Sequence, residues 1–476
     1  MTWTKEQRYL PYDHWDALKL LTLQAQADRS SFQLQYHIRP QSGLLNDPNG
    51  FSYFAGQYHL FYQAFPFGPV HGLKSWMHVV SKDLVHWQNL GLAIKPGDPI
   101  DSHGAYSGSA QEIDGKLFLM YTGNVRDQNW QRIPYQNGAW MDKTGEITKV
   151  SQPLFRNPSH ISEHFRDPQL LKQNGKYYAL LGAQEAQSQT GEIMVYQSTD
   201  LVNWEEIGPL NLGPLGYMIE CPNLVYVDDR PVLIFCPQGL NKEQASYDNI
   251  YPNMYLVLDE VDLAHATVKG AGALQQLDFG FDIYASQAFN RGEDCYLISW
   301  AGLPEIAYPT DQENWSGCLS QVKELHLKNG RLVQQPVAAM CKLRQAETKL
   351  ANEQILQTAT DNQYELLLTI PANQTGTLEL AKDNSGSLKV KFDTINGLVK
   401  LERTQGEFAK EYGLTRSVKT QAKQELKLDI FIDHSLAEIF VNDGEAVLTS
   451  RFFNHGTAIA MTSPCKYTAS YWPIVK

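Results

Sequence analysis

Across residues 36–335, apolar and polar positions alternate in short runs broken by Gly, Asn and Asp. That is the period of half-buried β-strands, and almost no long amphipathic helix interrupts it. One unit recurs. Asn46-Asp47-Pro48-Asn49-Gly50 leads into Phe51 to Phe54, a turn at Ala55-Gly56, and the run Tyr58 to Tyr62. Asp167-Pro168 leads into Gln169 to Lys172, the turn Asn174-Gly175, and Lys176 to Leu181. Glu220-Cys221-Pro222 leads into Leu224 to Val227, the turn Asp228-Asp229, and Val232 to Cys236. Weaker copies begin at Ser107-Gly108, with a turn at Asp114-Gly115, and near Tyr284, with a turn at Arg291-Gly292. A second echo keeps step: Ser81-Lys82-Asp83-Leu84-Val85-His86-Trp87 returns as Ser198-Thr199-Asp200-Leu201-Val202-Asn203-Trp204. Five units, each with room for four strands, predict a five-bladed β-propeller. An ordinary β-sandwich with chance similarity would not keep start, turn and later Trp in phase.

The flanks differ. Residues 1–35 carry helical spacing (Trp15, Leu18, Leu21) and predict a helical leader packed on the main body. Residues 336–350 shift to Lys, Gln and Ala, a linker with a helical turn. Alternation returns over 351–476, in Tyr364 to Ile370, Leu388 to Phe392, Leu426 to Ile432, Ala437 to Val441 and Ala446 to Phe452. These strands predict a C-terminal β-sandwich, so the fold class is all-β.

Composition narrows the function. Hydrophobic residues make up 43%, with 24 Tyr and 10 Trp, which suits an all-β sugar binder and excludes disorder. A net charge of −12 disfavours nucleic acid. The six cysteines are scattered without a CxxC pair, as in a reducing compartment. The start Met1-Thr2-Trp3-Thr4-Lys5-Glu6 has no apolar h-region, and no apolar run is long enough to span a membrane. A cytoplasmic protein without membrane partners is the expectation. Nothing in the pattern specifies an oligomer.

The units carry the candidate chemistry. In a propeller, equivalent positions sit at equal height around one channel, so matched placement would gather Asp47, Asp167 and Glu220 in one funnel. Crowded carboxylates titrate apart, leaving one protonated near neutral pH. An acid and a nucleophile are the equipment for breaking a glycosidic bond with retention. Each carboxylate alone would read as a turn cap; three in register do not. His160-Ile161-Ser162-Glu163-His164 matches a zinc pattern that needs a helix. Pro158, Pro168 and a following strand argue against one, so neither metal nor cofactor is expected. Cys221 has no His at a matched position, and Asp433-His434-Ser435 resembles a triad in composition only.

The motifs Asn46-Asp47-Pro48-Asn49-Gly50, Tyr106-Ser107-Gly108-Ser109-Ala110, Arg166-Asp167-Pro168 and Glu220-Cys221-Pro222 resemble those of glycoside hydrolase family 32, the invertases and fructan hydrolases. Gly280 to Gln287 resembles the family's fifth-blade signature, and Asp429 to Ser435 its C-terminal sandwich. Leu303 to Asp311 resembles a run of the bacterial branch acting on sucrose 6-phosphate. The resemblance implies hydrolysis of terminal β-fructofuranosyl bonds in sucrose 6-phosphate, sucrose or short fructans, with a small sugar as the partner. It implies Asp47 as nucleophile, Glu220 as acid and base, and Asp167 as the residue binding fructose hydroxyls. Asn46, Gln63, Trp76, Tyr106 and Ser107 fall to the sugar pocket, Arg166 to orienting carboxylates, and Tyr284 to a bond near Glu220. His71 stands where secreted invertases often carry Trp. A phosphate group would want cations at the funnel rim, and Lys74, Arg126 and Arg132 are the candidates. An arabinanase-like pentosan hydrolase, a non-catalytic sugar-binding propeller or a protein scaffold are the competing readings.

Overall fold

A computed structural model describes residues 3–352, 355–358, 361–384, 386–404 and 407–475. Five sheets of four or five strands follow one another between Gly43 and Pro336. Their first strands are β1 (Gly43–Phe54), β2 (Ala105–Ile113), β3 (Ile161–Gln173), β4 (Met218–Val227) and β5 (Ile283–Arg291). Each touches the next, and β5 returns to β1. The circle is also closed within one sheet, because Trp315–Ser316, from beyond β5, pairs in parallel with Gly43 and Leu44.

The hairpins follow from turn chemistry. At Ala55, Asp114, Asn174 and Asp228 and the residue after each, φ is positive at both central positions, the two-residue geometry whose twist matches the strands. The fifth turn departs from expectation. Arg291 pairs with Asp294, so the turn is Gly292-Glu293 and glycine takes its first position. The two Ser-x-Asp-Leu-Val echoes fold alike: Ser81 and Ser198 accept from the Leu84 and Leu201 N–H, and Trp87 and Trp204 donate to the same leucines' carbonyls.

Buried polar side chains bind the sheets to each other. Gly108 N–H donates to Asn49 (2.9 Å), Leu170 N–H to Ser109 (2.7 Å), Leu224 N–H to Gln169 (2.6 Å) and Ala288 N–H to Asn223 (3.3 Å). Gln287 completes the ring by accepting from Phe51 N–H (2.7 Å) and donating to Gly108 C=O (2.8 Å). First-strand backbone that would otherwise be buried without partners is thereby satisfied.

The leader docks on the first sheet, with Trp3, Tyr12, Trp15 and Leu20 against Phe65, Phe67 and Leu73. Its face differs from the one expected. Helix α1 (Ala17–Ala27), capped by Asp16, buries Leu23 and Ala27, while Leu18 and Leu21 are 68% and 61% exposed. Trp15 precedes the helix and stacks on Phe67 instead of sharing that face.

A 3₁₀ turn, Ala338–Leu343, leads to two six-stranded antiparallel sheets sharing one core, including Leu366, Leu428 and Ile430 from one sheet and Leu378, Val390 and Leu401 from the other. A buried ion cluster joins them to the first part of the chain. His37 bridges Asp433 and Glu438, both at 2.9 Å, and Lys323 lies 3.0 Å from Glu438.

Gln287→Met should leave Phe51 N–H and Gly108 C=O unpaired. At about 1–3 kcal/mol for each buried orphan group, chemical denaturation should show a loss of about 2–6 kcal/mol. The exposed-site control Val202→Ala should stay within roughly 0.5 kcal/mol. Equal stability of the two variants would remove the ring bond from the account.

Candidate active site

The site begins with an irregularity that all five first strands share. Pairing skips between Leu45 and Pro48, Ala105 and Gly108, Arg166 and Gln169, Glu220 and Asn223, and Tyr284 and Gln287. At each skip two residues face one on the partner strand, a β-bulge, which breaks alternation and turns side chains off the sheet face. Asp167, Cys221 and Ala285 hold positive φ there (63°, 49° and 46°).

This register corrects the expectation of matched positions. Glu220 stands just before its bulge, Asp167 at the first bulged residue and Asp47 at the second. The prolines mislead, because Pro168 and Pro222 lie inside their bulges whereas Pro48 follows its own. The carboxylates converge nonetheless: all three line one cavity of about 400 Å³.

Asp47 is enclosed by donors. Asn46 Nδ2 reaches Oδ1 at 2.9 Å, while Ser107 Oγ and Gln63 Nε2 reach Oδ2 at 2.5 and 3.2 Å. Burial raises its pKa and Glu220 adds to that, whereas the Ser107 and Asn46 bonds and Lys74 oppose it. Glu220 accepts at both oxygens: Arg166 Nε and Nη2 at 3.0 and 2.7 Å on Oε1, and Gln238 (2.7 Å) and the Tyr284 hydroxyl on Oε2. Asp167 Oδ2 accepts the Cys221 N–H at 3.1 Å. Burial pushes Asp167 up to about 7 against the pull of Arg166, with Glu220 and Asp47 adding to the rise. Burial and crowding thus both disfavour the ionised form of Asp167.

Three expected placements change. Lys74 is not at a rim: it is 3% exposed, its Nζ is held by Asn46 Oδ1, and burial brings it down to about 7 although Asp47 supports its charge. Trp76 is fully buried, does not line the cavity, and donates to Tyr106 C=O at 2.9 Å. Ser107 also lies one layer behind the wall, touching Asp47 from there. Asn46, Gln63, Tyr106, Arg126, Arg132, Arg166 and Tyr284 all line the cavity, as does His71.

The cavity also takes Arg8 and Tyr9 from the leader, Gln238, His164, Trp300 and Pro304. Of these, His164 and Pro304 lay in sequence runs already singled out, each for another reason. The position of Gln238 could have been found by pairing, since its strand lies beside that of Glu220. The former zinc pattern dissolves: His160 pairs with Glu206 at 3.0 Å, and His164 sits 3.1 Å from Arg166 on β3. The Cys221 thiol is pushed well up by burial and the neighbouring Asp167, which suits packing better than attack.

Comparison with known proteins gives the family. The family model for the glycosyl hydrolases family 32 N-terminal domain matches residues 37–336, and that for the family's C-terminal region matches 334–468. A sucrose-6-phosphate hydrolase of Pediococcus pentosaceus is 53% identical, over 96% of this chain and 93% of that protein. One from Streptococcus mutans is 46% identical, over 94% of each. The solved sucrose-6-phosphate hydrolase of Lactobacillus gasseri superposes with a TM-score of 0.97 at 52% identity, covering 100% and 99% of the two chains. A Bombyx mori GH32 β-fructofuranosidase, solved as a mutant in complex with sucrose, gives 0.86 at 28% identity, covering 96% and 97%. With both family models spanning most of its length, the chain belongs to glycosyl hydrolase family 32.

Proposed function

We propose that this protein is a cytoplasmic glycoside hydrolase that cleaves the terminal β-D-fructofuranosyl bond of sucrose 6-phosphate, and more slowly that of sucrose, with retention of configuration. The fold we propose for it is a five-bladed β-propeller over 36–335, a linker over 336–350 and a β-sandwich over 351–476, with 1–35 as a docked leader. The observation that carries the reading is the convergence of Asp47, Asp167 and Glu220 on one cavity, each with a different set of partners.

Those partners support the roles proposed for each. Asp47, gripped by Ser107, Gln63 and Asn46, is held still for attack on the anomeric carbon, forming a fructosyl ester. Glu220, with Tyr284, Gln238 and Arg166 fixing both its oxygens, enters the first step as the protonated acid, hands that proton to the leaving oxygen, and as the carboxylate then left takes one from the incoming water. Asp167 binds fructose hydroxyls, and those bonds strengthen as the ring gains oxocarbenium character. The phosphate of the glucosyl half meets guanidinium groups: Arg126 Nε and Arg132 Nε are buried in the wall without a hydrogen-bond partner. Such groups are matched to phosphate oxygens. The names of the relatives at 53% and 46% identity support the same substrate, and the sucrose complex of the silkworm enzyme supports the same class of bond. Pentosan hydrolysis and sugar binding without catalysis are not favoured by these relatives. Supporting the compartment, all six cysteines are free thiols, and among the described residues no helix is long and apolar enough to cross a membrane.

Asp47→Asn and Glu220→Gln should each keep the wild-type circular dichroism spectrum and lower kcat on sucrose 6-phosphate by at least about 10³-fold, the scale on which loss of a reacting group is felt. Near-normal turnover by either variant would refute its role. A second expectation concerns stability. Asp167 titrates at about 7 in the fold, above the roughly 3.9 of an unfolded Asp. The folded state thus holds the proton more tightly, and the cost of ionising Asp167 appears as pH climbs from about 4 to about 7, then stays constant. Asp167→Asn should consequently raise Tm at pH 8 by about 2 °C or more, and raise it less at pH 5, while depressing activity. A Tm change independent of pH would contradict the assignment.

A further inference from the structure

We propose that the N-terminal leader selects the phosphorylated substrate, with Arg8 as the third guanidinium of an anion subsite beside the carboxylate cluster. The inference rests on the reading of the protein as a hydrolase of sucrose 6-phosphate, and it assigns that selectivity to a segment outside the five sheets.

The charge balance of the cavity comes first. Its wall carries five cationic side chains, Arg8, Lys74, Arg126, Arg132 and Arg166, against three carboxylates, in a chain whose net charge is −12. Arg166 is spent on Glu220, and Lys74 is held by Asn46. The remaining three are all arginines, and among the described residues none of them forms an ion pair with a carboxylate. Glu163, an acidic neighbour of Arg132, is exposed and accepts that residue's backbone N–H at 3.2 Å. A neutral disaccharide needs no such surplus. A phosphate monoester carrying nearly two charges does.

Arg8 is positioned for the task. Its Nε donates to His71 C=O at 2.5 Å and its own carbonyl accepts the Leu73 N–H at 2.7 Å, so both ends of the residue are tied to one loop. Its two terminal nitrogens have no hydrogen-bond partner among the described residues. The loop is shaped to receive the leader. A Cβ at Gly72 would stand 2.6 Å from the Arg8 carbonyl, and one at Gly68 would stand 2.2 Å from the Trp3 ring. Tyr9 packs edge-on against Trp130 at 5.2 Å, beside the Arg126 that lies 5.7 Å from the same ring. The leader and the hairpin end carrying Arg126, Trp130 and Arg132 thus meet at one corner of the cavity.

The test measures the ratio of kcat/KM for sucrose 6-phosphate to that for sucrose, in wild type, Arg8→Met and Arg8→Lys. Wild type should favour the phosphorylated sugar by at least about tenfold. Arg8→Met should lower the ratio about 10- to 100-fold, the worth of one charge-assisted hydrogen bond, and Arg8→Lys should fall between. A wild-type ratio near one would overturn the phosphate reading itself. A high wild-type ratio that Arg8→Met leaves intact, whether or not overall activity drops, would overturn the leader's role alone and mark Arg8 as a structural tie.

Discussion

Five buried side chains, Asn49, Ser109, Gln169, Asn223 and Gln287, hold five sheets in a circle by hydrogen-bonding the backbone of the sheet beside them, or across the ring. Everything at the site depends on that constraint. Just upstream of each of these side chains the first strand carries its bulge, and the bulges deliver Asn46 and Asp47, Tyr106 and Ser107, Asp167, Glu220, and Tyr284 to one end of the channel. The opposite end opens into a separate cavity of about 310 Å³ lined by the later halves of the same strands, where Glu112 is the one carboxylate among the lining residues. The chemistry is therefore polarised along the ring axis by where the bulges fall. A bulge costs pairing, and the amide ring immediately below each one compensates by fixing the strand where its own ladder has slipped.

Much of this is legible in the sequence. Two-residue turns announce themselves through Gly, Asn and Asp, which tolerate positive φ, so four of five hairpins fall where the pattern put them. Arg291-Gly292 slipped by one because glycine can serve either central position, and only pairing decides. The carboxylates were found through the Pro that follows each motif. Proline marks an interruption in pairing but not its register, which is why Asp47, Asp167 and Glu220 were read as equivalent when they occupy three successive places. Depth is harder still. Lys74 and Trp76 lie two apart in sequence, yet only Lys74 lines the cavity, a difference the local pattern does not carry. Arg8 lies 39 positions before Asp47, in a segment whose local pattern speaks only of helix. Its arrival at the cavity depends on the close approach that Gly68 and Gly72 permit.

The electrostatics of the site show stability yielding to function. Three carboxyls, a lysine near the middle of its titration at neutral pH and an arginine saturated by Glu220 are packed where water is scarce. Burying Asp167 and Lys74 opposes their ionised forms, and a core built for stability alone would hold neither. The cost is met elsewhere, in the apolar clusters within and between the sheets and in the double-sheet C-terminal part, whose His37–Asp433–Glu438–Lys323 cluster ties it to the segment leading into β1. His37 is raised to about 9 by its two carboxylate partners despite its burial, so that tie stays charged at neutral pH, where the site is to work.

The central claim is that this geometry makes Asp47 the group that bonds to fructose. The most direct measurement is to expose a Glu220→Gln variant briefly to 4-nitrophenyl β-D-fructofuranoside, whose leaving group needs no acid, quench it in acid, and map the adduct by peptide mass spectrometry. The account predicts a single fructosyl ester on Asp47, because the first step proceeds and the base for the second is gone. A fructosyl group on Asp167 or on any other side chain would contradict it.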